Sequence, residues 1–149
     1  MDHPGGLPVL RLHHLGILVR DLDDARRFYG DVLGFGGAAP HESREHDIRA
    51  VLIDTGGTLL EVFAPLTADG PIARGLAKRG PGVHHVAYEV GDIGVALDAC
   101  RAAGLELLDE APRPGLHAGW RVAFIHPRSC GGVLTELVET DAPWQGVGL

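Results

Sequence analysis

The chain has 149 residues, and its 13 basic and 20 acidic side chains give a formal net charge of −7. Nucleic-acid-binding proteins normally carry a basic excess, so the charge argues against that class of partner. The hydrophobic fraction of 45% and the charged fraction of 22% are ordinary for a globular protein and argue against a disordered chain. No apolar run approaches the roughly 20 residues that span a bilayer, and the start MDHPGGLPVL lacks the features of a signal peptide. We expect a single cytoplasmic domain over residues 1–149, without a membrane partner.

The beginning of the chain recurs in its second half. LHHLGILVRDLDDA, residues 12–25, aligns without gaps on VHHVAYEVGDIGVA, residues 83–96. Each copy starts with an apolar strand that contains a histidine doublet, and each turns at an aspartate into a helical pattern. Asp21 and Asp92 are suited to cap these helices, because their side chains accept hydrogen bonds from the first free amides. We predict that the first helix runs to about Leu33 and stops at Gly34, and that the second stops at Gly104.

Three strand candidates follow each helix. After the first helix they are a short piece near Phe35, then IRAVLID, then TLLEVFAP, with a hairpin signal at Thr55-Gly56-Gly57. After the second helix they are LELLDE, WRVAFIH and GVLTELVE. A short helix that starts at Pro71 separates the copies, while the first ten residues and the tail from Thr140 are predicted to be irregular. The sequence therefore predicts an α+β fold of two tandem βαβββ modules, about 11–66 and 82–140, with a linker helix at about 70–80.

A glutamate stands in an apolar strand at matching points of the two copies. LLEVF, residues 59–63, contains Glu61, and LTELV, residues 134–138, contains Glu136. Burial of a carboxylate is costly unless a cation or hydrogen-bond donors meet it. A single buried glutamate is more often paired with arginine, and a single strand histidine is usually an ordinary core or surface residue. The duplication of both residue types favours a shared metal site instead.

Strand alternation indicates how such a site would form. His14 shares a face with Gly16 and Leu18, whereas His13 points to the other side. If each module curls into half of a cup, each supplies one histidine and one glutamate to a common point. Imidazole and carboxylate suit divalent metals such as Co²⁺, Mn²⁺, Ni²⁺, Zn²⁺ and Fe²⁺. The residues alone do not separate the first histidine of each doublet from the second; we favour the second, His14 and His85.

Several segments carry a family resemblance: LHHLGILVRDLDDARRFYGDVLGF, LLEVFAPL, GPIARGLAKRGPGVHHVAYEV and WRVAFIHPRSCGGVLTELVE. With them the chain resembles the vicinal oxygen chelate superfamily and, more narrowly, the methylmalonyl-CoA epimerases. The most specific part is HPRSCGGVLTELVE, because a His-Pro-basic turn followed by GVL-x-EL is typical of these epimerases. The resemblance covers most of residues 11–139 and implies a fold of paired βαβββ modules, in which a curved half-barrel sheet forms a metal cup.

The same resemblance implies a site and a reaction. The family's metal ligands fall on His14, Glu61, His85 and Glu136. The reaction interconverts (R)- and (S)-methylmalonyl-CoA by removal and return of the C2 proton through a metal-stabilised enolate. It implies an acyl-CoA substrate and a divalent metal, with Co²⁺ favoured over Mn²⁺, Ni²⁺, Zn²⁺, Mg²⁺ or Fe²⁺. We also expect a homodimer in which each chain holds a complete site.

Inversion at C2 requires an acid/base group on each side of the carbon. We assign Glu136 to one side and Glu61 to the other. Some family members carry glutamine at the Glu61 position and place a proposed catalytic glutamate on the preceding strand, where this chain has Ala50. That departure leaves the second acid/base group open.

Further cations and an imidazole are candidates for contact with the substrate carboxylate or the CoA phosphates. We assign this role to Arg121, His126 and Arg128. The alternative for both arginines is solvated loop charge, and Lys78 and Arg79 have the same ambiguity.

Other members of the superfamily are alternative interpretations. A glyoxalase I-like lyase or a specialised isomerase of secondary metabolism would use the same four ligands. An extradiol dioxygenase needs two histidines and one carboxylate around Fe²⁺, so the extra carboxylate of Glu61 speaks against it. A non-enzymatic binding protein needs no metal and gives no reason for two histidines and two glutamates.

Overall fold

The computed structural model describes residues 6–141. The described chain divides into two units: the first unit comprises residues 14–84, and the second unit comprises residues 85–141 together with 6–13. Strand β1, Val9–Leu18, therefore begins in the second unit and ends in the first. The predictions for residues 1–5 and for residues 142–149 lie outside the described part of the chain.

The first unit follows the predicted order of strand, helix and strands. Its elements after β1 are α1 (Leu22–Arg26), β2 (Gly36–Gly37), β3 (His41–Ser43), β4 (Ile48–Asp54), β5 (Leu59–Pro65) and α2 (Pro71–Arg79). The Asp21 carboxylate accepts a hydrogen bond from the Asp24 amide, as predicted for a helix cap. The helical path then continues as a π-helical segment, Arg27–Val32, before Gly34 takes a φ of 75°. The predicted helix is thus present, but its second half is wound more loosely than an α-helix.

The sheet of the first unit is mixed. Strand β5 pairs with β1 in parallel and with β4 in antiparallel orientation, while β2 and β3 both pair with β4. One face of this sheet packs against α1. The core on that face consists of Leu22, Ala25, Val51, Ile53, Val62 and Ala64. The buried side chains of His14, Glu61 and Phe63 lie on the opposite face of the sheet.

The second unit repeats the arrangement. Its elements are β6 (Gly82–Val90, which starts in the first unit), α3 (Ile93–Ala102), β7 (Arg113–Pro114), β8 (Trp120–Ile125) and β9 (Thr135–Thr140). Strands β6 and β9 are parallel, and β8 pairs in antiparallel orientation with both β9 and β7. The Asp92 side chain caps α3 through the Val95 amide, and Gly104 follows the helix with a φ of 74°. The core under α3 consists of Val90, Ile93, Ala96, Leu97, Cys100, Ala123, Ile125 and Leu137.

The structure differs from the strand predictions at several points. LELLDE does not form a strand and makes only a bridge between Leu107 and Ile125, because the Asp109 carboxylate accepts the Phe124 amide hydrogen that a neighbouring strand would otherwise bind. GVLTELVE enters the sheet only at Thr135, since Gly131 and Gly132 have positive φ angles and form a turn. Strands β3 and β7 were not predicted, and β1 starts at Val9, within the first ten residues that were predicted to be irregular. Within residues 6–141, none of the helices is long and apolar enough to cross a bilayer.

Candidate active site

The first unit carries His14 and Glu61 on one face of its sheet. In the parallel β1–β5 pair, His14 lies opposite Leu59, and Gly16 lies opposite Glu61. Residues opposite each other share a face, and so do residues two apart along a strand. The α1 core uses the other face, because it contains Val62. Both functional side chains are buried, with relative exposures of 0% for His14 and 6% for Glu61.

The second unit carries the matching pair, His85 and Glu136. Ala87 lies opposite Glu136 in the parallel β6–β9 pair, so His85, two residues earlier, shares its face. The His85 Nε2 atom lies 3.0 Å from Glu136 Oε2, and both side chains are buried. The helix α3 core uses the other face, which contains Leu137. Each unit therefore buries one imidazole and one carboxylate on the sheet face turned away from its helix.

The separation of the His85 and Glu136 donor atoms fits a metal ion. Typical metal–nitrogen and metal–oxygen bonds are about 2.1 Å long, so two adjacent ligands at a right angle lie roughly 3 Å apart. In the structure the imidazole nitrogen and the carboxylate oxygen are 3.0 Å apart. The donor types and their spacing thus fit the metal expected from the sequence.

Aromatic rings flank the histidines in both units. The Phe124 ring meets the His85 ring edge to face, with centroids 5.6 Å apart. The first histidine of each doublet also has an aromatic neighbour, since His13 packs against Trp120 at 4.7 Å and His84 packs against Phe63 at 5.2 Å. These aromatic residues were not predicted to belong to the site, because isolated aromatic positions in strands have the same pattern as ordinary core residues.

The three predicted substrate contacts lie in different surroundings. Arg121 pairs with Glu139, whose carboxylate also accepts the Ile93 amide at the start of α3. Arg121 therefore lies on the α3 face of the sheet, opposite the face of Glu136. A substrate contact by Arg121 stays a prediction, and it would require the guanidinium to leave Glu139.

His126 and Arg128 lie in the turn after β8. His126 follows the strand directly, and its Nδ1 accepts a hydrogen bond from the Arg128 amide at 3.0 Å. The Arg128 side chain is 75% exposed and pairs with Glu106 at 3.3 Å. The turn thus presents an exposed guanidinium within a short 3₁₀ segment, Pro127–Ser129. The role of both residues in substrate binding stays a prediction.

Comparison with known proteins identifies the family. Residues 13–124 match the family model of the glyoxalase/bleomycin resistance protein/dioxygenase superfamily. The mitochondrial methylmalonyl-CoA epimerase of Bos taurus is 42% identical over 140 residues, which cover 91% of this chain and 79% of the relative. The chain belongs to the methylmalonyl-CoA epimerase family within this superfamily.

Solved structures of epimerases show the same fold. The crystal structure of methylmalonyl-CoA epimerase from Mycobacterium tuberculosis is 36% identical, covers 94% of this chain and 97% of its own, and has a TM-score of 0.83. A methylmalonyl-CoA epimerase in complex with methylmalonyl-CoA and NH4+ is 34% identical, covers 90% and 96%, and has a TM-score of 0.81. The predicted fold class is therefore confirmed: the chain has the vicinal oxygen chelate fold, with a mixed sheet and few helices.

Proposed function

We propose that the protein is a metal-dependent epimerase that interconverts (R)- and (S)-methylmalonyl-CoA. The observation that carries the proposal is the buried His85–Glu136 pair, whose donor atoms have the spacing of adjacent metal ligands, together with its counterpart of His14 and Glu61 in the first unit. Membership of the epimerase family supports the reaction type, and an epimerase of this fold binds methylmalonyl-CoA. The superfamily alternatives without a metal give no reason for this duplicated donor set.

The proposed ligands of the ion are His14, Glu61, His85 and Glu136. All four side chains are buried, and His14, His85 and Glu136 each offer one suitable donor atom. When bound, a divalent metal would neutralise the substrate carboxylate and stabilise negative charge on the thioester oxygen. We propose Co²⁺ as the preferred ion, with Mn²⁺, Ni²⁺, Zn²⁺, Mg²⁺ and Fe²⁺ as the other candidates.

Glu136 is the proposed base that takes the C2 proton, and Glu61 is the proposed group on the opposite side of the carbon. The two carboxylates expose only 5% and 6% of their surface. The Phe124 ring beside His85 limits the movement of that imidazole and so keeps it in reach of Glu136.

The proposal also includes the residues that contact the substrate and the oligomeric state of the protein. His126 and Arg128 are proposed to contact the acyl-CoA, and Arg121 stays a weaker candidate because of its Glu139 partner. A homodimer in which each chain holds a complete site is proposed as the assembly.

The proposal is tested by NMR of methylmalonyl-CoA in D₂O with the Co²⁺-loaded protein. We expect deuterium to enter C2 and the epimers to interconvert. Glu136→Ala should reduce both by 10²-fold to 10⁴-fold, the usual contribution of a general base, whereas Glu45→Gln, at an exposed position, should leave them unchanged. Absence of exchange with Co²⁺, Mn²⁺, Ni²⁺, Zn²⁺, Mg²⁺ and Fe²⁺ alike would refute the proposed function.

Metal binding is tested separately from the reaction. Titration of the metal-free protein with Co²⁺ should produce visible absorption bands, and His85→Ala should weaken binding because it removes one donor atom of the 3.0 Å pair. Unchanged Co²⁺ affinity in His85→Ala would exclude His85 as a ligand.

A further inference from the structure

The chain contains two cysteines, and both lie in the second unit as free thiols. Cys100 is in the last turn of α3 and is fully buried. Cys130 directly follows the short 3₁₀ segment Pro127–Ser129 and is half-buried. It packs against the same apolar core that contains Cys100. The two thiols therefore share the side of the sheet that α3 covers.

Hydrogen bonds hold the end of α3 close to the turn of residues 126–130, which ends at the second cysteine. The Cys100 carbonyl accepts an amide hydrogen from the segment that follows the helix, at 3.0 Å. In that segment the Glu106 carbonyl accepts the His126 amide hydrogen at 2.8 Å, and the Glu106 amide donates to Ser129 Oγ at 2.9 Å. The segment after α3 is thus bonded to the helix on one side and to the turn on the other.

The backbone beside Cys130 has room to shift. Gly131 and Gly132 follow it with φ angles of 64° and 91°, and a Cβ added at either glycine would meet no atom within 4 Å beyond its chain neighbours. Glycine changes φ and ψ at little steric cost. A disulfide needs Cα atoms about 4.4–6.8 Å apart, so the turn, rather than the packed helix, is the part that adjusts to this distance.

The two thiols are suited to different steps of an oxidation. Burial raises the pKa of the Cys100 thiol, and the Cys130 thiol raises it further, so Cys100 stays in the less reactive protonated form. Cys130 is partly open to solvent and is therefore the thiol that a small oxidant reaches first. A second thiol beside an oxidised cysteine converts the sulfenic acid into a disulfide. Cys100 has the position of this resolving thiol.

We propose that Cys100 and Cys130 are a reversible thiol–disulfide pair, oxidised by hydrogen peroxide, whose bond fastens the 126–130 turn to α3. The Cys130 sulfur attacks one peroxide oxygen, the O–O bond breaks, and water leaves with the thiol proton to give a sulfenic acid. The Cys100 sulfur then attacks the Cys130 sulfur, the S–O bond breaks, and a second water leaves with the Cys100 proton. Two thiols and one peroxide thus give one disulfide and two waters. The inference does not depend on the proposed epimerase activity.

The experiment treats the full-length native protein with hydrogen peroxide and follows its thiol content and intact mass. We expect both thiols to disappear together, the mass of the monomer to fall by two hydrogen atoms, and proteolysis to yield a peptide that links Cys100 to Cys130. Dithiothreitol should restore both thiols. Retention of both thiols, sulfinic acid at Cys130 with Cys100 still reduced, or a disulfide only between two chains would each overturn the proposal.

Single variants test the order of the two steps. Cys130→Ser changes the half-buried position and should leave Cys100 reduced under the same treatment, because the buried thiol is not reached directly. Cys100→Ala removes the resolving thiol, so Cys130 should proceed to sulfinic acid. Oxidation of Cys100 in Cys130→Ser at the rate of the parent protein would overturn the order. Circular dichroism before treatment shows that both variants are folded.

Hydrogen exchange tests whether the bond fastens the turn. The Ser129 and Cys130 amides donate to carbonyls within the turn, and their exchange should slow at least tenfold in the oxidised protein. The Tm should rise by about 5 °C or more, because the bond closes a loop that the unfolded chain would otherwise leave open. Unchanged exchange of both amides in protein that has formed the disulfide would overturn the claim that the bond restrains the turn.

Discussion

The carboxylate of Glu139 accepts hydrogen bonds from the start of α3 and from Arg121. Its removal tests how much these two contacts contribute to the stability of the second unit. Glu139 Oε2 accepts the Ile93 amide hydrogen at 2.7 Å, at the start of α3, and Oε1 accepts from Arg121 at 2.8 Å. The Glu139 side chain is 23% exposed and the Arg121 side chain is 54% exposed. Glu139→Ala removes both contacts, whereas Arg121→Ala removes only the more exposed one.

The two substitutions differ in expected cost. A hydrogen bond to a charged acceptor contributes about 1.5–3 kcal/mol, and an ion pair as exposed as this one contributes about 0.2–1 kcal/mol. Glu139→Ala should therefore lower the free energy of unfolding by about 2–3 kcal/mol, which corresponds to a fall in Tm of roughly 5–10 °C for a chain of this size. Arg121→Ala should cost no more than about 1 kcal/mol.

Urea denaturation of the metal-free protein, followed by circular dichroism, measures these values, and the double variant gives the coupling energy of the pair. A loss below about 1 kcal/mol for Glu139→Ala, or a larger loss for Arg121→Ala than for Glu139→Ala, would refute the reasoning. The same Arg121→Ala protein tests its predicted substrate contact. An unchanged KM for methylmalonyl-CoA would show that Arg121 does not contact the substrate. A KM raised tenfold or more would show that Arg121 leaves Glu139 to contact the substrate.

Three other expectations follow from local geometry. Asp92→Ala removes the α3 cap and should cost about 1 kcal/mol in urea denaturation; a loss below about 0.3 kcal/mol would contradict the capping role. Gly70→Ala places a Cβ against the Asp47 carboxylate and should cost about 1–3 kcal/mol, so an unchanged stability would show that Asp47 moves freely. Burial raises the pKa of the Cys100 thiol, and the nearby Cys130 thiol raises it further; because the thiolate is the reactive form, iodoacetamide should label Cys130 in the native protein and Cys100 only after unfolding, and equal labelling rates by mass spectrometry would contradict this.

Much of the fold and of the candidate site is readable from the sequence because the signals are local. The duplicated pattern predicted the helix caps at Asp21 and Asp92, and both caps are present. Alternation along the strands predicted that His13 and His14 point to opposite faces, and apolar runs predicted the strands that contain Glu61 and Glu136. Each of these signals depends on residues within about one helical turn or a few strand positions.

The failures occurred where a distant residue decided the local structure. LELLDE has the composition of a strand, but the Asp109 carboxylate accepts the Phe124 amide hydrogen. This side-chain hydrogen bond stands in place of the backbone hydrogen bond that would extend the strand pairing. β3 contains only His41–Ser43, too short for a periodic signal, and it exists because β4 offers an unpaired edge. Local periodicity does not contain this information.

The sequence by itself determined which residue types are available for chemistry: two imidazoles and two carboxylates at matching points of a repeated βαβββ pattern. Only the tertiary structure decided which residues lie opposite each other across neighbouring strands. It gave Arg121 a partner on the α3 face, set His85 and Glu136 3.0 Å apart, and placed His41 across from Ala50 on the face of Glu61. The physical reason is strand register, which is set by pairing between segments far apart in the chain, and a shift of one residue would turn every one of these side chains to the other face.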